Sequence, residues 1–309
     1  GVRRCGKSSL LDLIRMAIES EGVSGRGFVG VNLESKSAGI KTEDQLYNYV
    51  RERLSDKGRT YVFIDEPQGI EGWQNAVNAM RVDFDCDIYL TGSNAYLLSS
   101  ELSTYLSGRY VEVKMLPLSF SEFANFCGVE FASGRSAALA PDGEPVLFDE
   151  MLTRYLEYGG MPAIASLTTT QAQYSAYMSG ISEAIAVRDI VNRERGKSKS
   201  TVTDPSLLRH VAEFLADNIG NECSPNGIAG ALTSAGSKTT NKTVSSYVGA
   251  LEEAFLFYRA TRYDLHGKAL LKTNPKEYIV DTGFRTWMAG YRVTDTGRLF
   301  ENAVYFQLL

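Results

Sequence analysis

The sequence has 309 residues, of which 44% are hydrophobic and 22% charged, and its formal net charge is −5. These proportions exclude a largely disordered chain, and the acidic balance is atypical of a protein coated with basic surface for nucleic acids. No apolar run approaches the roughly 18 residues that cross a bilayer, so we expect no membrane span. The four cysteines form no C-x-x-C pair, which disfavours zinc and disulfide frameworks and favours a reducing, cytoplasmic compartment.

The first eight residues match the phosphate-loop pattern G-x-x-x-x-G-K-[ST]. In such a loop backbone amides surround the phosphates, the lysine, here Lys7, reaches the β and γ oxygens, and the hydroxyl, here Ser8, holds Mg²⁺. Helical spacing continues over residues 9–18, so we expect the loop to open a helix whose N-terminal dipole faces the anion. The predicted nucleotide-binding residues are Gly1, Val2, Arg3, Arg4, Cys5, Gly6, Lys7, Ser8 and Ser9.

Strand and helix patterns alternate after the first helix. The apolar runs predict strands at residues 27–33, 60–66 and 86–94, and the periodicity predicts helices at 42–54 and 73–81. This alternation is typical of an α/β fold of the P-loop NTPase type, in which helices flank a parallel sheet and the nucleotide binds at its carboxyl edge. The strand that should feed the phosphate loop is missing from this sequence.

Two carboxylates follow the apolar strand at residues 60–64. Asp65 stands where an acid organises Mg²⁺, a hard cation that prefers oxygen ligands and keeps several waters. Glu66 is placed to polarise a water that attacks the γ-phosphate. Together with the phosphate loop, the pair predicts a Mg²⁺-dependent ATPase site in which Ser8 and Asp65 are the metal ligands and Lys7 and Glu66 the catalytic residues.

The pattern changes beyond residue 108. Residues 109–115 predict a last strand, and Ser119 with Glu122 forms a capping box that opens a helix. Residues 133–145 have the composition of a loop. Helical patterns then return at 148–158 and 170–191, separated by a break at Gly159–Pro162.

A basic, serine-rich linker at 192–204 precedes the last region. Helices are predicted there at 205–219, 224–235 and 242–257, and strands at 258–263 and 277–281. Three helices followed by a hairpin is the order of a winged helix-turn-helix. Because residues 236–276 carry a local charge of +4, this segment is a candidate DNA contact; contact with a protein is the alternative.

Several segments together resemble a prokaryotic group of AAA+ ATPases that have a C-terminal domain of uncharacterised function. The resemblance rests on the phosphate loop and on residues 64–68, 90–95, 106–110, 116–123, 158–162 and 279–284. It implies that Ser93 or Asn94 is the polar sensor beside the γ-phosphate. It also implies that Arg109 is an arginine for the γ-phosphate charge, acting within one chain or from a neighbour.

The same resemblance implies a C-terminal region similar to PD-(D/E)XK nucleases, whose first acidic residue would be Glu301. The expected domains are therefore a P-loop core without its first strand, a helical region with a linker, a winged-helix-like domain and the start of a truncated C-terminal domain, at residues 1–130, 131–200, 201–285 and 286–309.

The sequence predicts an ATP-binding protein, with Mg²⁺ as cofactor, that hydrolyses ATP to drive an unidentified output. The alternative is a nucleotide-switched module that binds DNA or protein with little turnover. The Asp65–Glu66 pair disfavours a third class, small-molecule kinases. A protein partner or a homo-oligomer is compatible with each of these functions.

Overall fold

The computed structural model describes residues 1–35, 39–56, 58–92, 108–166, 170–192, 202–262 and 274–309. These residues form two compact units. One unit consists of Gly1 with Gly6–Met115, and the other of Val2–Cys5 with Leu116–Leu309. Within the described ranges, no helix is both long and apolar enough to cross a membrane.

The first unit alternates helices and strands, as the sequence predicts. In chain order it contains α1 (Lys7–Ser20), β1 (Phe28–Asn32), α2 (Glu43–Arg51), β2 (Thr60–Asp65), α3 (Trp73–Asp83) and β3 (Cys86–Thr91). The strands pair in parallel in the order β1-β2-β3. The predicted α/β fold with a parallel sheet flanked by helices is therefore confirmed.

The two faces of this sheet differ because side chains alternate along each strand. One face is aliphatic and forms a core with α2 and α3, which includes Val29, Val31, Leu46, Val50, Val62, Ile64, Trp73, Val77 and Met80. The other face is aromatic: the rings of Phe63 and Tyr89 stack with their centroids 4.8 Å apart. The Arg15 guanidinium of α1 lies 5.3 Å from the Phe28 ring centroid, so α1 lies on this aromatic face.

The predicted strand at residues 109–115 is wrong. Residues 110–116 pair with no strand in the described part of the chain, and Val111 and Val113 are 91% and 72% exposed. The alternation of apolar and polar side chains fits a strand, but a strand also needs a neighbour that satisfies its backbone groups.

The second unit begins with α4 (Phe120–Phe126), whose predicted capping box is present: Ser119 Oγ accepts from Glu122 N, and Glu122 Oε2 accepts from Ser119 N. The predicted loop at 133–145 is partly wrong, because β4 (Ala137–Leu139) and β5 (Pro145–Leu147) form a short antiparallel hairpin. The following helices are α5 (Phe148–Tyr158), α6 (Pro162–Ser166) and α7 (Gln171–Glu183), and α7 continues as a π-helix over Ala184–Asn192.

The last region contains α8 (Pro205–Asp217), α9 (Pro225–Ser234), α10 (Asn241–Glu253), β6 (Phe257–Ala260), β7 (Lys276–Ile279), α11 (Thr282–Ala289) and α12 (Thr296–Leu308). Strands β6 and β7 pair antiparallel, and Glu222 forms an isolated bridge to Lys276. This is the element order that the winged-helix prediction requires. The winged-helix assignment and the four domain boundaries remain predictions.

A buried network joins the glycine pair after α5 to the start of α11. Asp281 caps α11 by accepting from Gly283 N at Oδ1, 2.8 Å, and it accepts from Gly160 N at Oδ2, 2.6 Å. Gly160 O in turn accepts from Leu118 N at 2.8 Å. We call these contacts the Gly160–Asp281 junction. They connect residues 121 positions apart, which makes the second unit depend on both segments.

Two glutamates share Arg259 at the base of the β6–β7 hairpin. Glu277 is 3% exposed and its Oε1 lies 3.1 Å from Arg259 Nε, while Glu252 Oε1 lies 2.8 Å from Arg259 Nη2. Burial raises the pKa of both carboxyl groups; the Glu252 charge raises the pKa of Glu277 further, and Arg259 opposes these effects. Burial also raises the pKa of Asp281, to about 6.

These raised pKa values predict that the free energy of unfolding falls as the pH rises from about 5 to 8. In that range the folded protein keeps protons that the unfolded chain has released, so stability is greatest at low pH and is lost as the pH passes the folded-state pKa values. Glu277→Gln supplies a neutral amide, which needs no proton and whose oxygen can still accept from Arg259. We expect it to raise stability at pH 8 by about 1–3 kcal/mol.

Urea unfolding of the wild type and Glu277→Gln at pH 5.5 and pH 8 checks this expectation. Glu144→Gln is the matched control, because Glu144 lies exposed beside the β4–β5 turn. Stability that increases with pH in the wild type, or a Glu277→Gln variant that keeps the whole pH slope, would contradict the account.

Candidate functional site

The three parallel strands end in polar residues at one edge of the sheet. Asn32, Asp65 and Thr91 are register partners, and alternation places their side chains on the face that carries the aromatic rings and α1. Asp65 Oδ2 accepts from Asn32 Nδ2 at 3.0 Å, and Asp65 Oδ1 accepts from Thr91 Oγ1. The Asp65 carboxylate at this edge thus accepts hydrogen bonds from both neighbouring strands.

The phosphate loop closes on itself at the start of α1. Gly6 occupies the N-cap with φ +100°, a backbone conformation that favours glycine. The first-turn amides of a helix have no acceptor within the helix, and no side chain caps those of α1. Lys7 Nζ donates to Gly1 O at 3.0 Å. Amide donors and an ammonium group therefore converge at one helix end, which is the chemistry of an anion site.

Ser8 connects this loop to the strand edge. Its Oγ donates to Asp65 Oδ2 at 2.9 Å, although the two residues are 57 positions apart in the sequence. The structure thus brings together the hydroxyl and the carboxylate that the sequence predicts as metal ligands. Ser9, the next predicted binding residue, is exposed in the first turn of α1.

Glu66 adopts an unusual backbone conformation directly after β2. Its φ of 56° and ψ of 53° lie in the left-handed region, which residues other than glycine rarely adopt. Residues with such a strained backbone cluster at functional sites, where the surrounding structure holds them in place. Gln68 Nε2 donates to Glu66 Oε2, so the carboxylate has a neutral hydrogen-bond partner two residues away.

The middle of the phosphate loop belongs to the second compact unit. Val2 and Cys5 are 0% and 1% exposed, so the Cys5 thiol is packed inside the protein, and a phosphate contact by its backbone amide remains a prediction. Arg3 is half-buried. Arg4 has φ 64°, and its guanidinium carbon lies 5.7 Å from the ring centroid of Tyr177 on α7, a cation–π distance.

The family resemblance assigns a sensor role to Ser93 or Asn94 and a γ-phosphate role to Arg109. Ser93 and Asn94 lie outside the described residues. Arg109 is exposed beside Gly108, in a described stretch that forms neither a helix nor a strand. The sensor and arginine roles therefore remain predictions.

Sequence reasoning missed Asn32 and Thr91. Each is the polar residue that ends a strand, and each occupies the same parity in its strand as Asp65. That parity was readable from the alternation of Val29 and Val31 with Phe28 and Gly30. The sequence does not show the register of β1, β2 and β3, which decides whether the three strand ends lie side by side.

The basic segment at 236–276 is less available for phosphate contact than its composition indicates. Arg259 pairs with Glu252 and Glu277, and Lys276 Nζ donates to Glu301 at 2.9 Å. Lys238, before α10, and Lys242, in its first turn, are exposed, whereas Lys268 and Lys272 lie outside the described residues. DNA binding through this segment remains a prediction.

Glu301 lies on α12, where it accepts from Lys276 and from Tyr278 Oη at 2.7 Å. These hydrogen bonds lower its pKa. Next to it, Asn302 bonds both backbone groups of Ile279. Both residues therefore attach α12 to β7, and the nuclease-like role of Glu301 remains a prediction.

The residues at the sheet edge fit ATP and Mg²⁺. The Ser8 hydroxyl and the Asp65 carboxylate are oxygen donors in mutual contact, which suits a hard cation. The glycine N-cap and the Lys7 ammonium suit a polyphosphate. Lys7, Ser8 and the loop amides would hold the nucleotide, and Ser8 and Asp65 the metal.

Two family models match the chain. Residues 1–124 match the AAA_14 family, described as an AAA domain, and residues 149–295 match a domain of unknown function, DUF8612. The first match covers the phosphate loop, the sheet and the acid pair. The second match supports the expected C-terminal domain of uncharacterised function.

Two curated relatives align with the whole chain. An uncharacterized protein of Haemophilus influenzae is 40% identical over 311 residues, and the chain spans 73% of its length. The uncharacterized protein MJ1544 of Methanocaldococcus jannaschii is 26% identical, and the chain spans 65% of it.

A solved structure, the Walker-type ATPase PABY2304 of Pyrococcus abyssi, has a similar fold. The TM-score is 0.54 at 16% identity, with 93% of this chain and 89% of that chain covered. The chain therefore belongs to the same family as the Haemophilus influenzae protein, and its residues 1–124 match the AAA domain family.

Proposed function

We propose that this chain binds ATP with Mg²⁺ at the phosphate loop and hydrolyses it, and that hydrolysis drives a conformational or binding change. The observation that carries the proposal is the hydrogen bond from Ser8 Oγ to Asp65 Oδ2, 2.9 Å, beside the loop that Lys7 closes onto Gly1. It joins the phosphate loop to the acid at the end of β2, the two parts that hold Mg²⁺ in a P-loop nucleotide site.

Each residue has a distinct task in this proposal. Lys7 and the loop amides neutralise and orient the phosphates, and Ser8 with Asp65 fixes the metal position. Glu66 accepts a proton from the attacking water. The bound Mg²⁺ supplies charge stabilisation at the phosphate oxygens. The contribution of the protein is mainly positioning and preorganised charge.

The binding half of the proposal is tested with a fluorescent ATP analogue in Mg²⁺. We expect Lys7→Ala to bind it about 10- to 100-fold more weakly, because charge-assisted hydrogen bonds contribute about 1.5–3 kcal/mol each. Lys41→Ala is the control, since Lys41 is exposed in the segment before α2. Equal affinity of Lys7→Ala and Lys41→Ala would contradict nucleotide binding at this loop.

A further inference from the structure

The Asp65 carboxylate is held by more than its proposed metal partner. Asn32 donates to Oδ2 from β1, and Thr91 donates to Oδ1 from β3. Ser8 donates to the same Oδ2. With donors on both oxygens and from both sides, the plane of the carboxylate is fixed by the sheet itself.

The orientation of the Asn32 amide is determined by its surroundings. Its Oδ1 accepts from Glu34 N at 2.9 Å. Because a backbone N–H can only donate, the amide oxygen must face Glu34 and the NH₂ group must face Asp65. The Asn32 amide thus links the turn after β1 to the Asp65 carboxylate by one hydrogen bond to each.

We propose that Asn32 and Thr91 are positioning residues that aim the Asp65 carboxylate at the divalent cation; this inference rests on the proposed function. Metal-binding carboxylates are oriented by hydrogen bonds from neighbouring groups, and removing such a group typically weakens metal affinity 10- to 100-fold. Neither residue needs to touch the metal. Three donors occupy three of the four lone-pair directions of the Asp65 carboxylate. The direction that remains for the cation is therefore nearly fixed.

A purely structural role is the alternative, because Asn32 also stabilises the turn at Glu34. Asn32→Ser separates the two roles. A serine hydroxyl can still accept from the Glu34 amide, but it is too short to reach Asp65 as well. Thr91→Val removes the other donor while keeping the shape and the strand preference of the side chain, so a folding failure of one variant still leaves the other.

The experiment titrates Mg²⁺ at a fixed concentration of fluorescent ATP analogue and compares the half-saturating Mg²⁺ concentrations. We expect this concentration to rise about 10- to 100-fold in Asn32→Ser and in Thr91→Val, while nucleotide affinity in EDTA and the urea midpoint of unfolding stay near wild-type values. Asn78→Ser on α3 is the control and should match the wild type.

Wild-type Mg²⁺ dependence in both folded variants would overturn the inference and leave the proposed function standing. A wild-type protein whose nucleotide signal does not depend on Mg²⁺ at all would overturn both. These two outcomes are distinguishable because the first is read from the variants and the second from the wild type.

Discussion

Glu66→Gln is expected to bind ATP with Mg²⁺ about as tightly as the wild type and to lose about 10²- to 10⁴-fold in turnover, the range of a general base. Glutamine keeps the size of the side chain and can still bond Gln68, but it has no carboxylate to accept a proton from water. Because Glu66 is assigned to proton transfer and Lys7 to holding the phosphates, the loss should be in kcat, with nucleotide affinity nearly unchanged.

Steady-state phosphate release and analogue binding, measured on the same preparations, check this expectation. Glu71→Gln is the matched control, because Glu71 is exposed five residues further along the chain. Turnover of Glu66→Gln at the wild-type rate would refute the assigned base. Tight binding without phosphate release in the wild type would instead favour the nucleotide-switched module with little turnover.

Gly160→Ala is expected to destabilise the second unit by about 3–5 kcal/mol, the sum of overpacking and a lost buried hydrogen bond. A Cβ built on Gly160 would overlap the carbonyl oxygen of Leu118, which is backbone and cannot rotate away. Relief requires the chain to move away from Leu118, and that movement breaks the bond from Gly160 N to the 5% exposed Asp281.

Urea unfolding followed by circular dichroism measures this effect, and Gly180→Ala is the control. Gly180 lies in α7 with no atom within 4 Å of a built Cβ, so alanine should stabilise the helix there by about 0.5–1 kcal/mol. A Gly160→Ala protein as stable as the wild type would show that the Gly160–Asp281 junction does not hold the unit together.

Local signals were readable from the sequence. The phosphate loop, the strand that ends at Asp65 and Glu66, and the capping box at Ser119 and Glu122 each depend on residues within a few positions of one another. The structure confirms the helix after the phosphate loop, the strand that ends at Asp65 and the capping box. Their physics is local: a cap satisfies adjacent amides, and an apolar run forms a buried strand.

The missed features depend on contacts between distant segments. Asn32 and Thr91 lie beside Asp65 only because of the strand register. The Gly160–Asp281 junction links residues that are 121 positions apart. Arg285 is a further example: it is 1% exposed within α11 and pairs with Asp295, whereas the sequence shows only an arginine among helix formers. Conversely, residues 109–115 alternate like a strand but have no described neighbour to pair with.

The most direct test of the central claim is steady-state phosphate release from ATP, measured in Mg²⁺ and in EDTA for the wild type, Lys7→Ala and Glu66→Gln. We expect saturable release by the wild type that requires Mg²⁺ and is lost in both variants, with the nucleotide still retained by Glu66→Gln. Release that persists in Lys7→Ala, or that proceeds equally in EDTA, would contradict a nucleotide site built from the phosphate loop and the Asp65–Glu66 pair.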